Sequence, residues 1–325
     1  MPPERAVSEI RTAVRRLLDS PEAAPFRGAP LAVACSGGAD SLALAAAAVH
    51  VAHRRGGEVR GLVVDHGLQE GSAEVAAAAA EQLERLGCDG VEVIGVSVTG
   101  NGGMEAAARR ARYAALRQHR PENGLVLLGH TLDDQAETVL LGLGRGSGPR
   151  SIAGMRPLDP PWARPLLGVR RRTTLEACRA LGLRPWQDPH NSDLRFTRVR
   201  LRTEVLPLLE QVLQGGVREA LARTARQLQE DEEALDAVAA RVRSEVETGE
   251  GLDAGMLAES PAAVRRRVLR DWLLARGVTE VSDAHLRSAD RLVAAWRGQG
   301  GHALPGGFVL HRSRGTLLLR VAEPR

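Results

Sequence analysis

The chain has 325 residues, of which 43% are hydrophobic and 26% charged, and its formal net charge is +4. This length and composition exclude a disordered or fibrous protein and allow one sizeable domain and a smaller one. The three cysteines, Cys35, Cys88 and Cys178, form no CxxC pair, which argues against a disulfide framework or an iron–sulfur site.

All 44 basic residues are arginine, because the chain contains no lysine. Arginine binds phosphate through paired hydrogen bonds and stacks on bases, so the composition is compatible with an RNA partner. No early segment has the apolar run of a signal peptide or a membrane span. We therefore expect a cytoplasmic protein without a membrane partner.

The first half of the chain alternates between helical and strand patterns. Helical spacing of apolar residues predicts a leading helix over 7–17. Apolar runs then predict strands at 31–35, 59–64, 91–98 and 125–128, with helices at 36–54, 72–86 and 104–118. This alternation predicts a parallel sheet covered by helices, and ligands bind such sheets beyond the carboxyl ends of the strands.

A glycine-rich turn follows the first predicted strand, and we call it the phosphate loop: Ser36, Gly37, Gly38, Ala39, Asp40 and Ser41. Two glycines let a phosphate approach the backbone, and a helix N-terminus attracts anions. The simpler interpretation is a turn in which Ser36 or Asp40 caps the helix. However, the loop also offers hydroxyls to phosphate oxygens and a carboxylate to a metal ion, although it has no Walker A lysine.

Two other strand ends carry polar residues. Asp65 and His66 follow the second strand, and His130 follows the fourth. Each segment has the alternative interpretation of a simple turn. At the same sheet edge as a phosphate loop, these residues are candidates for nucleotide contacts, with His66 as a hydrogen-bond donor to a base.

Three acidic residues, which we call the acidic trio, lie at helical spacing: Asp133, Asp134 and Glu137. Thr131 and Asp134 have the spacing of a capping box, which is the purely structural interpretation. The trio is also expected on one helical face. Carboxylates so close repel each other unless a cation lies among them, and a metal ion or a substrate ammonium would serve.

Two later segments carry arginines. Residues 144–150 predict a glycine-rich loop with Arg145, either a flexible linker or a lid over a charged intermediate. Residues 188–207 carry what we call the arginine cluster, either a solvated surface or a binding site for an RNA backbone: Arg195, Arg198, Arg200 and Arg202.

The last third of the chain reads as a separate, mainly helical domain. A long helical stripe covers 217–246, Ser260 and Pro261 predict the N-cap and first residue of a helix to Arg276, and a further helix carries 286–296. A hairpin is predicted across 313–315. The fold class is therefore α/β, with a parallel-sheet nucleotide-binding domain over 1–210 and a helical domain with a terminal hairpin over 211–325.

The phosphate loop resembles that of the N-type ATP pyrophosphatases of the PP-loop superfamily, which cleave ATP between its α- and β-phosphates. Further motifs narrow the resemblance to the tRNA(Ile)-lysidine synthetases: VDHGLQ, EAAARRARYAAL, GHTLDDQAETVLL, RGSG, RPLL and the DP-N-D-F-R-R-R run. The resemblance covers about 33–209. It implies an adenine nucleotide alpha hydrolase-like catalytic domain followed by an RNA-binding domain.

The resemblance implies ATP-dependent ligation of free lysine to C2 of the wobble cytidine of tRNA(Ile) with anticodon CAU. ATP adenylates O2 of the cytidine and releases pyrophosphate; the lysine ε-amine then attacks C2, and AMP leaves as lysidine forms. The implied cofactors are ATP and Mg²⁺, and the partners are this tRNA and free lysine. No partner protein is required, and a homodimer is left open.

The resemblance also implies roles for individual residues. The phosphate loop would hold ATP, with Asp40 as a Mg²⁺ ligand, and Asp65, His66 and His130 would complete the nucleotide site. The acidic trio would bind the lysine ammonium and help to deprotonate it. The arginine cluster would meet the anticodon stem, and three further arginines would face the developing negative charge: Arg109, Arg112 and Arg145.

Two other functions stay open at this point. One is an ATP-dependent RNA-base thiolase of the same superfamily, which the missing CxxC pair disfavours; the other is an inactive RNA-binding protein, which the phosphate loop and acidic trio disfavour. The chain departs from the family pattern at Ser151, where Gly is expected, and at His190, where Ser is usual.

Overall fold

The computed structural model describes residues 3–69, 71–98, 103–146, 148–188 and 193–322. The chain divides into two compact units, the first ending at Arg226 and the second beginning at Gln227. No helix within the described ranges combines the length and the apolar character that a membrane crossing requires. The functional domain limits of 1–210 and 211–325 stay a prediction.

The first unit alternates between strands and helices as far as its fifth helix. Its helices are α1 (Pro3–Asp19), α2 (Ala39–His53), α3 (Ser72–Arg85), α4 (Met104–His119), α5 (Leu132–Arg145), α6 (Pro149–Ile152), α7 (Arg171–Ala180), α8 (Thr197–Arg200), α9 (Leu206–Val212) and the start of α10 (Val217–Val246). Its strands are β1 (Leu31–Cys35), β2 (Val59–Asp65), β3 (Gly90–Gly95), β4 (Val126–Leu127), β5 (Leu158–Asp159) and β6 (Trp162–Ala163). A π-helical segment, Leu201–Val205, joins α8 to α9.

The six strands form one sheet in the order β3-β2-β1-β4-β6-β5. Ala32 of β1 pairs with Arg60 of β2 on one side and with Val126 of β4 on the other. All neighbouring pairs are parallel except β5 with β6. The predicted parallel-sheet α/β fold is therefore confirmed, and the carboxyl ends of β1, β2, β4 and β6 meet at one edge.

Side chains that alternate along the strands cover the sheet on both faces. Val33 belongs to the core that α1, α2 and α3 share, whereas Ala32 packs in a second core with Leu116 of α4. At Gly61, a Cβ atom would lie 2.7 Å from Cδ1 of Leu83, so the missing side chain lets α3 pack closely on β2. These cores are built largely from Ala, Val and Leu.

The second unit is helical with a small antiparallel sheet. Its elements after α10 are β7 (Leu252–Asp253), α11 (Ala254–Ala258), α12 (Ala262–Ala275), α13 (Asp283–Ala294), β8 (His302–Leu304), β9 (Phe308–Ser313) and β10 (Thr316–Val321). The strand order is β7-β10-β9-β8, and Ser313 pairs with Thr316 in the predicted hairpin, which is confirmed. Trp272, Leu310 and Leu317 are fully buried in its core.

Some local predictions were wrong. Pro261, not Ser260, is the N-cap of α12, because the Pro261 carbonyl accepts the first helical hydrogen bond, from the N–H of Arg265. Arg145 ends α5 instead of lying in a loop, since Gly146 terminates that helix with a φ of 60°. Ser147 of the predicted loop and His190 lie outside the described residues.

Candidate active site

The phosphate loop leaves the buried strand β1 and enters α2. Gly38 is the N-cap, and no side chain caps the helix, so the capping interpretation of Ser36 or Asp40 is wrong. Gly37 has a φ of 78°, which favours glycine. Ser41 Oγ donates to the Gly38 carbonyl at 2.9 Å and accepts from the Ser36 N–H at 3.2 Å. The first turn of α2 therefore keeps the backbone N–H groups that an anion requires.

The end of β4 lies directly against this loop at Gly129. A Cβ atom on Gly129 would lie 3.0 Å from the backbone carbon of Asp40 and 3.0 Å from the nitrogen of Ser41, which is tighter than ordinary contact. Glycine therefore permits this approach. The consequence is that α5, which begins at Leu132, starts next to the phosphate loop.

The acidic trio occupies the first turns of α5. Thr131 is the N-cap, and its N–H and hydroxyl both donate to Asp134 Oδ2 at 2.8 Å, so the predicted capping box is confirmed. Glu137 is fully buried, and Asp134 is 8% exposed. Helix capping uses only one oxygen of Asp134, because its second oxygen, Oδ1, accepts a hydrogen bond from Arg171.

Each carboxylate of the acidic trio pairs with an arginine of the chain itself. From the sequence, we expected a metal ion or a substrate ammonium in this position. The ion pairs are Arg171–Asp134 at 2.6 Å, Arg202–Glu137 at 2.7 Å and Arg218–Asp133 at 3.0 Å. Arg202 also lies 3.8 Å from Asp134. Arg202 is thus shared by Asp134 and Glu137, whereas Arg171 also pairs with Asp40 and Arg218 also pairs with Glu210.

Asp40 joins the same network through α7. Nε of Arg171 donates to Asp40 Oδ2 at 3.1 Å, and the Thr174 hydroxyl donates to Asp40 Oδ1. Burial raises the pKa of Asp40, and this effect is larger than the opposite effect of the positive charge of Arg171. Burial also acts to raise the pKa of Asp134, but Arg171 and the hydrogen bonds from Thr131 outweigh it, so the pKa of Asp134 is lowered. Asp134 is therefore ionised at neutral pH.

A second, basic group lies at the neighbouring strand ends. Burial lowers the pKa of His130 to about 3, and nearby Arg164 and Arg112 act in the same direction. Burial and Arg112 also lower the pKa of His66. Nδ1 of each histidine is buried and has no hydrogen-bond partner among the described residues. Two neutral imidazoles beside arginines can bind a ligand with hydrogen-bonding atoms and developing negative charge.

The predicted arginines of α4 pack on one aromatic ring. The guanidinium carbons of Arg109 and Arg112 lie 4.7 and 5.5 Å from the ring centroid of Tyr113, and Arg109 also donates to the Tyr113 hydroxyl at 3.2 Å. Burial lowers the pKa of Arg112. Asp65, the last residue of β2, accepts from the N–H of Gly67 at 3.0 Å. Because Arg112 acts electrostatically on both His66 and His130, the structure places it close to these two histidines.

Other predicted residues lie apart from this centre. Arg145 is exposed at the far end of α5, about 16 Å along the helix from Asp134 at 1.5 Å per residue. In the arginine cluster, Arg195 is paired with Asp193 and its side chain is 86% exposed, and Arg200 is exposed and pairs with Glu204. Arg198 is half-buried and acts electrostatically on Arg112. Arg202 differs from these three, because the π-helical segment directs it to Glu137.

Sequence analysis missed Arg171, Thr174 and Arg218. The only local signal is the run Arg170-Arg171-Arg172 after RPLL, and a run of charge normally indicates a solvated surface. Arg218 lies 85 positions from Asp133, so only the folded chain shows that they meet.

The carboxylates near the phosphate loop are the groups that could hold a Mg²⁺ ion. In the part of the chain that the structure describes, no group of three or more His, Cys, Asp or Glu side chains could hold a metal ion. Mg²⁺ commonly uses one or two carboxylates together with substrate phosphates. Asp40 lies in the phosphate loop and shares Arg171 with Asp134. These donors fit a Mg²⁺ ion that binds with nucleotide phosphates.

Comparisons with known proteins agree with this geometry. Residues 8–209 match the family described as PP-loop domain, and residues 252–318 match the TilS substrate binding domain. A tRNA(Ile)-lysidine synthase of Mycolicibacterium paratuberculosis is 57% identical over 323 residues, which is 98% of each chain. One of Nocardia farcinica is 59% identical, over 96% of this chain and 97% of that protein. A solved U34-tRNA thiolase of Methanococcus maripaludis, 18% identical, shares the fold with a TM-score of 0.56 over 70% of this chain and 80% of that one.

Proposed function

Because this chain belongs to the tRNA(Ile)-lysidine synthase family, we propose that it ligates lysine to the wobble cytidine of tRNA(Ile) with the use of ATP. It is a ligase that forms a C–N bond, and the family predicted from the sequence motifs is confirmed. One observation carries the chemistry: Asp40 of the phosphate loop and Asp134 of the acidic trio share Arg171. An adenylating site and an amine site are therefore adjacent.

The phosphate loop binds ATP through backbone N–H groups at the start of α2 and the hydroxyls of Ser36 and Ser41. The cytidine O2 attacks the α-phosphorus, the bond to the β-phosphate oxygen breaks, and pyrophosphate leaves. Asp40 is the proposed Mg²⁺ ligand, and the ion when bound offsets negative charge on the phosphates. The basic group around His130 and Arg112 stabilises the negative charge that develops on the transferring phosphate and the leaving pyrophosphate.

The acidic trio binds free lysine as its ammonium. Each carboxylate offers about four acceptor sites, so Asp134, whose side chain is partly exposed, keeps acceptors after pairing with arginine. The same arginines disfavour a further positive charge, which lowers the pKa of a bound amine and promotes its deprotonation. The neutral ε-amine then attacks C2 of the cytidine, and AMP leaves with the C–O bond electrons.

The tRNA requires a basic surface outside this centre. Arg195 and Arg200 are exposed and close in sequence to Arg202, and each pairs with a local carboxylate that a phosphate can replace. We assign them, with Arg198, to the RNA backbone. Arg202 belongs to the amine site instead. A cytoplasmic location and activity without a partner protein are part of the same proposal.

The direct test is incorporation of radiolabelled lysine into a tRNA(Ile) transcript with a CAU anticodon, in the presence of ATP and Mg²⁺. A tRNA(Met) transcript with the same anticodon is the control. We expect label in the isoleucine transcript alone and one pyrophosphate per lysine. Pyrophosphate release with another RNA but no label would keep the ATP chemistry and refute the substrate. Binding of tRNA without any pyrophosphate release would favour the inactive RNA-binding protein.

A further inference from the structure

Arg171 is in contact with both halves of the candidate site. Its guanidinium group donates to Asp40 Oδ2 from Nε at 3.1 Å and to Asp134 Oδ1 from Nη2 at 2.6 Å. Its backbone N–H, the first of α7, donates to Asp133 Oδ2 at 2.8 Å. We propose that Arg171 is a positioning residue that holds the carboxylates of Asp40 and Asp134 in one arrangement, so that the ATP site and the amine site depend on each other.

The surrounding contacts give α7 this bridging position. On the side of the phosphate loop, the Cys178 thiol donates to the Ala39 carbonyl at 3.3 Å, and the Thr174 hydroxyl donates to Asp40. On the side of α5, the N–H of Leu132 donates to the carbonyl of Val169, two residues before Arg171, at 2.9 Å. The bridge therefore joins segments 131 and 37 positions away from Arg171 along the chain.

The chemistry of the bridge requires arginine. A guanidinium group is planar and presents donors in a fixed fork, so one side chain can hold two carboxylates at once; an ammonium is a point charge. The side chains of Asp40 and Asp134 are 22% and 12% exposed, and each acts on the other as a like charge. Without Arg171, their repulsion would move them apart.

The consequence rests on the proposed function and is measured as a change in substrate requirement. Arg171→Lys keeps the charge but loses the fork, so we expect the KM values for ATP and for lysine to rise together, each about tenfold, the worth of one charge-assisted hydrogen bond. If α7 only supported the fold, a smaller folded fraction would lower kcat and leave both KM values unchanged. Arg172→Lys, at an exposed neighbouring position on α7, is the matched control.

The coupling itself is tested by binding alone, with a non-hydrolysable ATP analogue and calorimetry. In the chain that keeps Arg171, Asp134→Asn removes the ion pair between residue 134 and Arg171. We expect this substitution to weaken binding of the analogue several-fold. In an Arg171→Gln chain the bridge is already absent, so Asp134→Asn should change the affinity by less than twofold. Unfolding midpoints identify any variant that does not fold. If Arg171→Gln does not fold, the same comparison is made with Arg171→Lys, with and without Asp134→Asn.

The outcomes separate the two proposals. Non-additive binding in this cycle supports the bridge even if no lysidine forms, in which case only the proposed function fails. An equal effect of Asp134→Asn in both backgrounds overturns the bridge, whatever the activity. Unchanged KM values in Arg171→Lys, in a chain that forms lysidine, also overturn it.

Discussion

Replacement of Gly129 by alanine tests the contact between β4 and the phosphate loop. The new Cβ atom would lie 3.0 Å from the Asp40 carbon and the Ser41 nitrogen, so the backbone of the loop must move by a few tenths of an ångström. Overpacking of this kind costs about 1–3 kcal/mol. Since a 1 Å misplacement at a reacting centre costs about a hundredfold in rate, we expect ATP use to fall severalfold as well.

The matched control is Gly90→Ala, at the exposed start of β3, where no other heavy atom lies within 4 Å of the added Cβ. Both changes reduce the entropy of the unfolded chain, so their difference isolates the contact at Gly129. Thermal unfolding should give a lower midpoint for Gly129→Ala than for Gly90→Ala, by about 2–4 °C per kcal/mol in a unit of this size. Equal midpoints and equal KM values for ATP would refute the reasoning.

Four further substitutions have defined outcomes. Asp40→Ala should abolish pyrophosphate release with nearly unchanged tRNA affinity in filter binding; loss of tRNA binding would contradict its place in the ATP site. Glu137→Gln, which breaks the buried pair with Arg202, should raise the KM for lysine more than that for ATP, and equal rises would argue against the amine site. His130, with a pKa of about 3 when folded and about 6.5 when unfolded, makes the unfolded chain bind more protons below pH 6.5. The free energy of unfolding should therefore fall between pH 7.5 and pH 5.5, and the fall should be smaller in His130→Gln by about 1 kcal/mol. Identical losses of the two chains in chemical denaturation would refute this. Arg195→Ala should weaken tRNA binding and reduce its salt dependence by about one phosphate contact, whereas an unchanged slope would exclude a phosphate partner.

Local sequence signals predicted the elements whose patterns are strong. The apolar run of β1, the glycines after it and the alanine-rich α2 give periodicity and turn chemistry that need no distant partner. The capping box of α5 is equally local, because Thr131 and Asp134 are three positions apart. By contrast, β5 and β6 were not predicted. Each has two residues, and pairing with β4 and with each other makes them strands.

The sequence by itself determined the α/β fold, the family and the positions of the phosphate loop and the acidic trio, because each of these is written in contiguous residues or in a fixed spacing. Only the tertiary structure decided which cations meet the carboxylates. Arg171, Arg202 and Arg218 come from three separate segments, and their pairing with the trio depends on how α7, the π-helical segment and α10 pack beside α5. An ion pair acts over a few ångströms in space, irrespective of distance along the chain.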